Sequence, residues 1–442
     1  MFTVRPPVAW LHAPLYSYGV GIGTLSCGRL PSDLGPPPSF TPDYRAPPLG
    51  CANGANLTAT PRGNVDLLGH GLRMAQTLRG ALSYDRQLPW DLAGSVEALL
   101  TRTLADFAFV NLNLSGPQAV DRNGRVLYGT IGAGGIAAPA LRSNFSEVID
   151  LENISQNHAA QLSAQLEKHF GQSIRAMASY TFSRVRDAET PLRVNTSGTD
   201  NWASRAVSGR QDDLRPGISL NDIPHRVVFV GTKRVPRRRW PTELSLYYVG
   251  ESGTPFTYLA WGAVRGRGDL NADGSNTNDP IYIPRSALDT NEIRFAPFTR
   301  QVSGSGGAIR SDTITAAQQA QAFERFIQRE PCLREQRGRI LARNSCREPW
   351  STTAVASMRQ GIPFGNRPVE LQVDVYNLLN LVRRDWGLYR VADPALLEQV
   401  DQAKGPPSAS QPIFHFPPTR PQWTTVPAQS AFQLQLALRY RF

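Results

Sequence analysis

Residues 431–442 read AFQLQLALRYRF, and this stretch decides the fold. Phe432, Leu434, Leu436, Leu438, Tyr440 and Phe442 share one parity, and Gln433, Gln435, Ala437, Arg439 and Arg441 share the other. Successive strand residues point to opposite faces, so the run predicts a strand with one apolar and one polar side. A half-buried soluble strand alternates over about 4–8 residues and seldom continues to the final carboxylate. Here the apolar row begins and ends in aromatic rings, as a lipid-facing strand with interfacial rings should.

Reading backwards uncovers more strands of this kind. Val369, Leu371, Val373 and Val375 alternate with Glu370, Gln372, Asp374 and Tyr376; Leu244, Leu246 and Tyr248 alternate with Glu243, Ser245 and Tyr247. Ile174, Ala176, Ala178, Tyr180 and Phe182 form another apolar row, and so do Ala160, Leu162, Ala164 and Leu166. Leu72, Met74, Leu78, Leu82 and Tyr84 share a face that Gln76 and Gly80 interrupt. The runs near 94–105, 225–233 and 351–360 are strand-like with noisier alternation. Short connections (Gln87–Ala93, Lys168–Gln172, Arg234–Pro241, Ile362–Pro368) alternate with long ones near 112–157, 185–224, 253–350 and 381–429. Outer-membrane barrels have this asymmetry, with short periplasmic turns and long extracellular loops. The predicted fold is an all-β, antiparallel transmembrane barrel with long extracellular loops. Residues 1–68 read as an extracellular loop with part of one strand, and residues 69–442 as the C-terminal part of the barrel.

Composition agrees with this reading. The apolar fraction is 41% of 442 residues and mean hydropathy is −0.31. No window approaches the ~18–20 continuous apolar residues of a membrane-spanning helix, whereas alternating strands average to neutral hydropathy. The net charge of +11 is carried by scattered arginines. The one tight cluster, Arg237–Arg239, carries no nucleic-acid motif, so a nucleic-acid partner is not expected. Cys27 and Cys51, and Cys332 and Cys346, form two local pairs. An even count predicts disulfides in an oxidising compartment; local pairing is favoured among the three connectivities, with buried thiols the alternative. Residues 1–20, MFTVRPPVAWLHAPLYSYGV, lack a basic leader, an apolar stretch and a cleavage site. Together with a strand count near nine or ten, this suggests a sequence that starts part-way through a longer one.

Several motifs resemble a known family. Ala178–Asp187 (ASYTFSRVRD), Asp222–Arg226 (DIPHR), Asp269–Gly274 (DLNADG) followed by Asn278-Asp279, and Asp374–Asn380 (DVYNLLN) resemble the C-terminal barrel of TonB-dependent receptors, especially the Oar-type branch with a carboxypeptidase-regulatory-like domain. Phe432, Tyr440 and Phe442 resemble the terminal signal read by the barrel assembly machinery. The resemblance implies a 22-stranded barrel occluded by an N-terminal plug. It also implies outer-membrane lipid around the barrel, a TonB complex acting through the plug, and active uptake of an unidentified ligand. Plug and TonB-contacting segment have no counterpart in these residues.

Other residues invite chemical readings. Asp269, Asn271 and Asp273 place oxygen side chains two residues apart before Gly274, the opening of a calcium loop. The twelfth position is Pro280 where an EF-hand needs Glu, with Asp279 as a substitute ligand; an Asx-rich turn is the favoured alternative. Residues 313–330 predict a helix capped by Thr315 and Gln318, with Phe323, Phe326 and Ile327 on one face. That helix and the Cys332–Cys346 loop read either as a stapled lid that contacts ligand or as a purely structural fold. The six histidines lack metal-ligand spacing, and nucleophile elbows, phosphate loops and zinc-protease motifs are lacking, so no enzyme activity and no cofactor other than calcium is expected. Two further functions compete with a receptor: a small autonomous channel or adhesin, and a secreted soluble β-rich binding protein.

Overall fold

The computed structural model of the protein describes residues 27–28, 35–40, 42–43, 45, 48, 50–55, 63–130, 139–189, 198–235, 240–263, 267–303, 309–364, 367–403 and 411–440. Its framework is built from β1 (Gly63–Leu68), β2 (Gln76–Leu88), β3 (Leu92–Asn111), β4 (Phe145–Ile154), β5 (His158–Phe170), β6 (Ile174–Asp187), β7 (His225–Val235), β8 (Thr242–Glu251), β9 (Ser351–Phe364), β10 (Arg367–Tyr376) and β11 (Gln433–Tyr440). β2, β3 and β5 to β11 form an antiparallel meander in which each strand pairs with the next. β7, β8 and β10 have 11, 10 and 10 residues, close to the ~9–11 that carry a tilted strand across a bilayer.

The register explains why alternation was visible. Leu82 pairs with Ala98, Ala98 with Leu162, Leu162 with Phe182, and Phe182 with His225. Farther along, Phe229 pairs with Tyr248, Tyr248 with Ala354, Val373 with Leu436, and Val375 with Leu434. Each apolar row therefore meets the next on the same side, and one nearly continuous apolar face crosses nine strands. Two tight turns rest on left-handed backbone: Gly171 at φ 60° between β5 and β6, and Trp90 and Asp91 at φ 65° and 56° between β2 and β3.

Several expectations are corrected. β2 begins at Gln76, leaving Leu72 and Met74 outside it; Leu72 instead packs against a small hydrophobic core at the long-loop end of the sheet. The stretch 112–157, expected as a loop, contains β4, which pairs with the outer end of β3. The strand within the stretch 1–68 is β1, at its end, laid parallel on β4. Among the described residues β2 does not pair with β11. The sheet of nine long meander strands is thus open, forming no closed barrel among the described residues.

The long connections fold into a cap. Its main core gathers Tyr258, Ile281, Ile283, Phe323, Leu341 and Phe416 from distant segments. Burying each such side chain stabilises by about 2 kcal/mol, so the cap is a packed body and not a set of tethers. A smaller core joins Phe107, Phe109, Ile149 and Leu151 to Trp202 of α1 (Gly198–Ser204). α2 (Ala316–Arg329) starts where the capping box predicts: Gln318 N–H donates to Thr315 Oγ1 at 3.2 Å, and Thr315 N–H to Gln318 Oε1 at 2.8 Å. Phe323, Phe326 and Ile327 are its buried face.

Candidate functional site

The first functional surface is the wall. On β11, Leu434, Leu436 and Leu438 are 60%, 66% and 70% exposed. Water would penalise such a row, at about 25 cal/mol per Å² of apolar surface, whereas acyl chains would not. Large rings bound the apolar face at both ends. Trp90, Phe170, Trp240 and Tyr440 stand exposed near the short turns, and Trp350 and Phe432 near the long loops. On the opposite face, ion pairs ring the short-turn end: Arg175–Glu167 and Arg234–Glu243 at 2.7 Å, Arg359–Glu243 at 3.7 Å and Arg439–Glu370 at 3.8 Å. Higher up, Ser163 and Thr181 hydroxyls meet at 3.1 Å, and Gln372 donates to Asp374 at 2.7 Å. An apolar outside and a hydrogen-bonded polar inside are the two requirements of a membrane-spanning β wall.

Short polar joints clamp the cap to this wall. Asp187, closing β6, is paired with Arg343 at 3.2 Å. Asp222 accepts from the Val185 N–H at 2.6 Å and from Arg347 at 2.8 Å. Arg343 and Arg347 flank Cys346, and Asn344 between them donates to the Ile218 carbonyl at 2.8 Å. The Cys332–Cys346 loop is therefore fixed against the rim. A third joint is Asn377, in left-handed backbone at φ 51°, whose amide donates to the Gly387 and Ser430 carbonyls at 2.9 and 2.6 Å. Sequence reasoning marked three of these residues only as family motifs. Their role as joints depends on partners far along the chain, so no local signal carried it.

The Asp269–Asp279 segment lies inside the cap. Asp269 accepts from the Asp273 N–H at 3.2 Å and the Gly274 N–H at 3.0 Å. Asp273 accepts from the Ser275 N–H at 2.8 Å and from the Asn271, Asn278 and Gln211 amides. Asp279 is paired with Arg125 at 2.9 Å and accepts from the Leu270 N–H at 2.9 Å. Burial, reinforced by the charges of Asp273 and Asp279, pushes the Asp269 carboxyl well above the usual carboxylate range. Burial likewise raises Asp279 to about 7 despite the opposing Arg125 charge. Asn271 and Asp273 each make an Asx-turn hydrogen bond, accepting from the N–H two residues on at 2.9 and 2.8 Å. Among the described residues no three His, Cys, Asp or Glu side chains converge as a metal-binding group.

Residues 29–384 match the family model of the outer membrane beta barrel domain, which is well over half of the chain. The chain belongs to this outer membrane β-barrel family. Its place is the outer membrane, and the apolar face with its two borders of rings has the pattern of a lipid-facing wall. No curated protein matches the sequence.

The remaining sequence candidates fall as follows in this outer-membrane protein. Phe432 and Tyr440 stand exposed at opposite ends of the last strand, on its apolar face; Phe442 lies outside the described residues. Cys27 is bonded to Cys51 and Cys332 to Cys346. His225 sits at the start of β7, where its Nδ1 meets the Tyr180 hydroxyl at 2.7 Å, a rim position. Arg237–Arg239 lie outside the described residues.

Proposed function

We propose that this outer-membrane protein is the wall and outer cap of a TonB-dependent receptor, which takes up a ligand too large or too scarce for open pores. The observation that carries the reading is the cap itself. An open diffusion channel has no use for a cored body fixed to its rim, whereas a selective receptor needs a shaped outer surface. Three of the motifs that resemble the receptor family, those ending in Asp187, starting at Asp222 and spanning Asp374–Asn380, contain the joints to that body.

Strand direction supports a larger barrel. β2 and β11 both run toward the short-turn end, so pairing them directly would be parallel. An all-antiparallel closure needs an odd number of further strands between them. A 22-stranded barrel satisfies this parity; an autonomous barrel of the nine described meander strands does not. In this reading the further strands, the plug and the TonB contact come from outside the described sheet, and lipid and the barrel assembly machinery are the other partners.

The test is uptake in the source bacterium. A deletion of this gene is compared with a deletion of TonB across nutrients supplied at scarce concentration. The reading expects one nutrient whose uptake is lost in both strains. Uptake that needs this gene but survives loss of TonB would replace the receptor with a passive channel.

A further inference from the structure

The Asp269–Asp279 loop has a charge imbalance and an idle oxygen in the same place. Asp269, Asp273 and Asp279 are 3%, 2% and 0% exposed, and among the described residues only Arg125 forms an ion pair with any of them, at Asp279. Carboxylates withdrawn from water so completely are stable only when paired or coordinated. Asn278 supplies a second and independent indication. It is 0% exposed, its amide nitrogen reaches into the cluster to Asp273 Oδ2 at 3.0 Å, and its Oδ1 meets no donor among the described residues. A buried amide oxygen without an N–H partner calls for an ion or a water.

We infer that this loop binds one calcium ion through oxygens of Asp269, Asn271, Asp273 and Asn278. Asp279 stays with Arg125 and the Leu270 N–H, outside the donor set. Two carboxylates with two amide oxygens agree with the lack of any three-acid group, and an all-oxygen set on an irregular loop selects calcium over zinc or magnesium. The site would tie three stretches of the cap together. Tyr128 N–H donates to the Asn271 carbonyl at 2.9 Å, Val207 N–H donates to the Asn278 carbonyl at 3.0 Å, and Ser275 and Thr277 hydroxyls donate to the Ala203 carbonyl at 2.9 Å. Calcium would therefore order the cap, whatever the barrel transports.

The experiment uses the whole protein in detergent, stripped with a chelator and titrated with calcium alone and with terbium. Trp202, next to Ala203, and Tyr128 are close enough to the loop to sensitise terbium emission. The expected result is one saturable site per chain whose terbium signal is displaced by calcium and not by equal magnesium. Asp269→Asn should weaken calcium by at least about tenfold. Because misfolding of that variant would also weaken binding, Asn278→Asp is the second arm: it should tighten calcium binding while lowering cap stability in the chelated protein. Absence of calcium binding at ~10 mM, well above the weakest extracellular sites, would overturn the inference and leave a buried water on Asn278 as its replacement. Calcium binding that neither variant alters would overturn it too. Retained membrane insertion of the calcium-free protein keeps either failure separate from the fate of the receptor reading.

Discussion

Glu189 is the residue most at odds with its surroundings. It follows the end of β6, is almost wholly buried, accepts one hydrogen bond from the Phe109 N–H at 3.1 Å, and leaves Oε1 without a donor. Burial raises its carboxyl from 4.5 to about 7, against the opposing charges of Arg205 and Arg343. Between those values the folded cap holds a proton that the unfolded chain has released. Stability contributed by this group is thus greatest below about 4.5 and falls as pH rises to about 7, by about 3 kcal/mol in all. Hydrogen exchange of the Phe109 amide at about pH 5 and about pH 8 should show faster opening at the higher value, and Glu189→Gln should remove most of the difference. An unchanged difference in the variant would place the pH response elsewhere. Sequence alone gave no hint of this residue, because its burial comes from β3 and from arginines far along the chain.

Strands with lipid on one side and water on the other declare themselves, since each side imposes one polarity on every second residue; β10 and β11 could be read residue by residue. β4 was missed for the opposite reason. Its partner is the outer part of β3, buried on both faces at Phe107, Ala108 and Phe109. β4 itself buries only Ile149 and Leu151, between partly shielded Val148 and Asp150 and exposed Glu152, an alternation too short to mark a strand. α2 was legible because its cap and apolar face are local, whereas the cap core it joins is assembled from pieces a few residues long. Two outcomes belong to this scale. Leu436→Arg puts a charge into the apolar face of β11 and should destabilise insertion by about 2–4 kcal/mol, whereas Gln435→Arg on the polar face should cost little; folding titrations into lipid vesicles measure both. Equal effects would reject the two-sided wall. Reducing Cys332–Cys346, which closes a loop with a sequence separation of 14, should lower cap stability by about 3 kcal/mol. Limited proteolysis would register it as earlier cleavage after α2, with the wall unaffected.

For the molecule as a whole, the sequence conveyed the class of fold and which side of the sheet is apolar, but not the extent of the sheet. Alternation identifies a strand without saying what lies beyond the last one. Cysteines introduced at Leu82 on β2 and Leu436 on β11, in a background with the four native cysteines bonded, address this directly. The larger-barrel reading expects no bridge between them within one chain in native membranes. Efficient intramolecular bridging would mean that the nine strands close on themselves through a parallel seam, and would favour the autonomous channel.

β3 has a consequence for what the cell displays. Its 20 residues form one unbroken strand, and the last seven, from Ala105 to Asn111, have left the apolar face for the interior of the smaller cap core. At about 3.3 Å per residue that portion is about 23 Å long, so the stalk lifts the cap clear of the headgroups. In the orientation of the proposed receptor, antibodies, phage or proteases arriving from the medium would meet the stapled loops first, and the lower rungs of the same strand would be hidden beneath them.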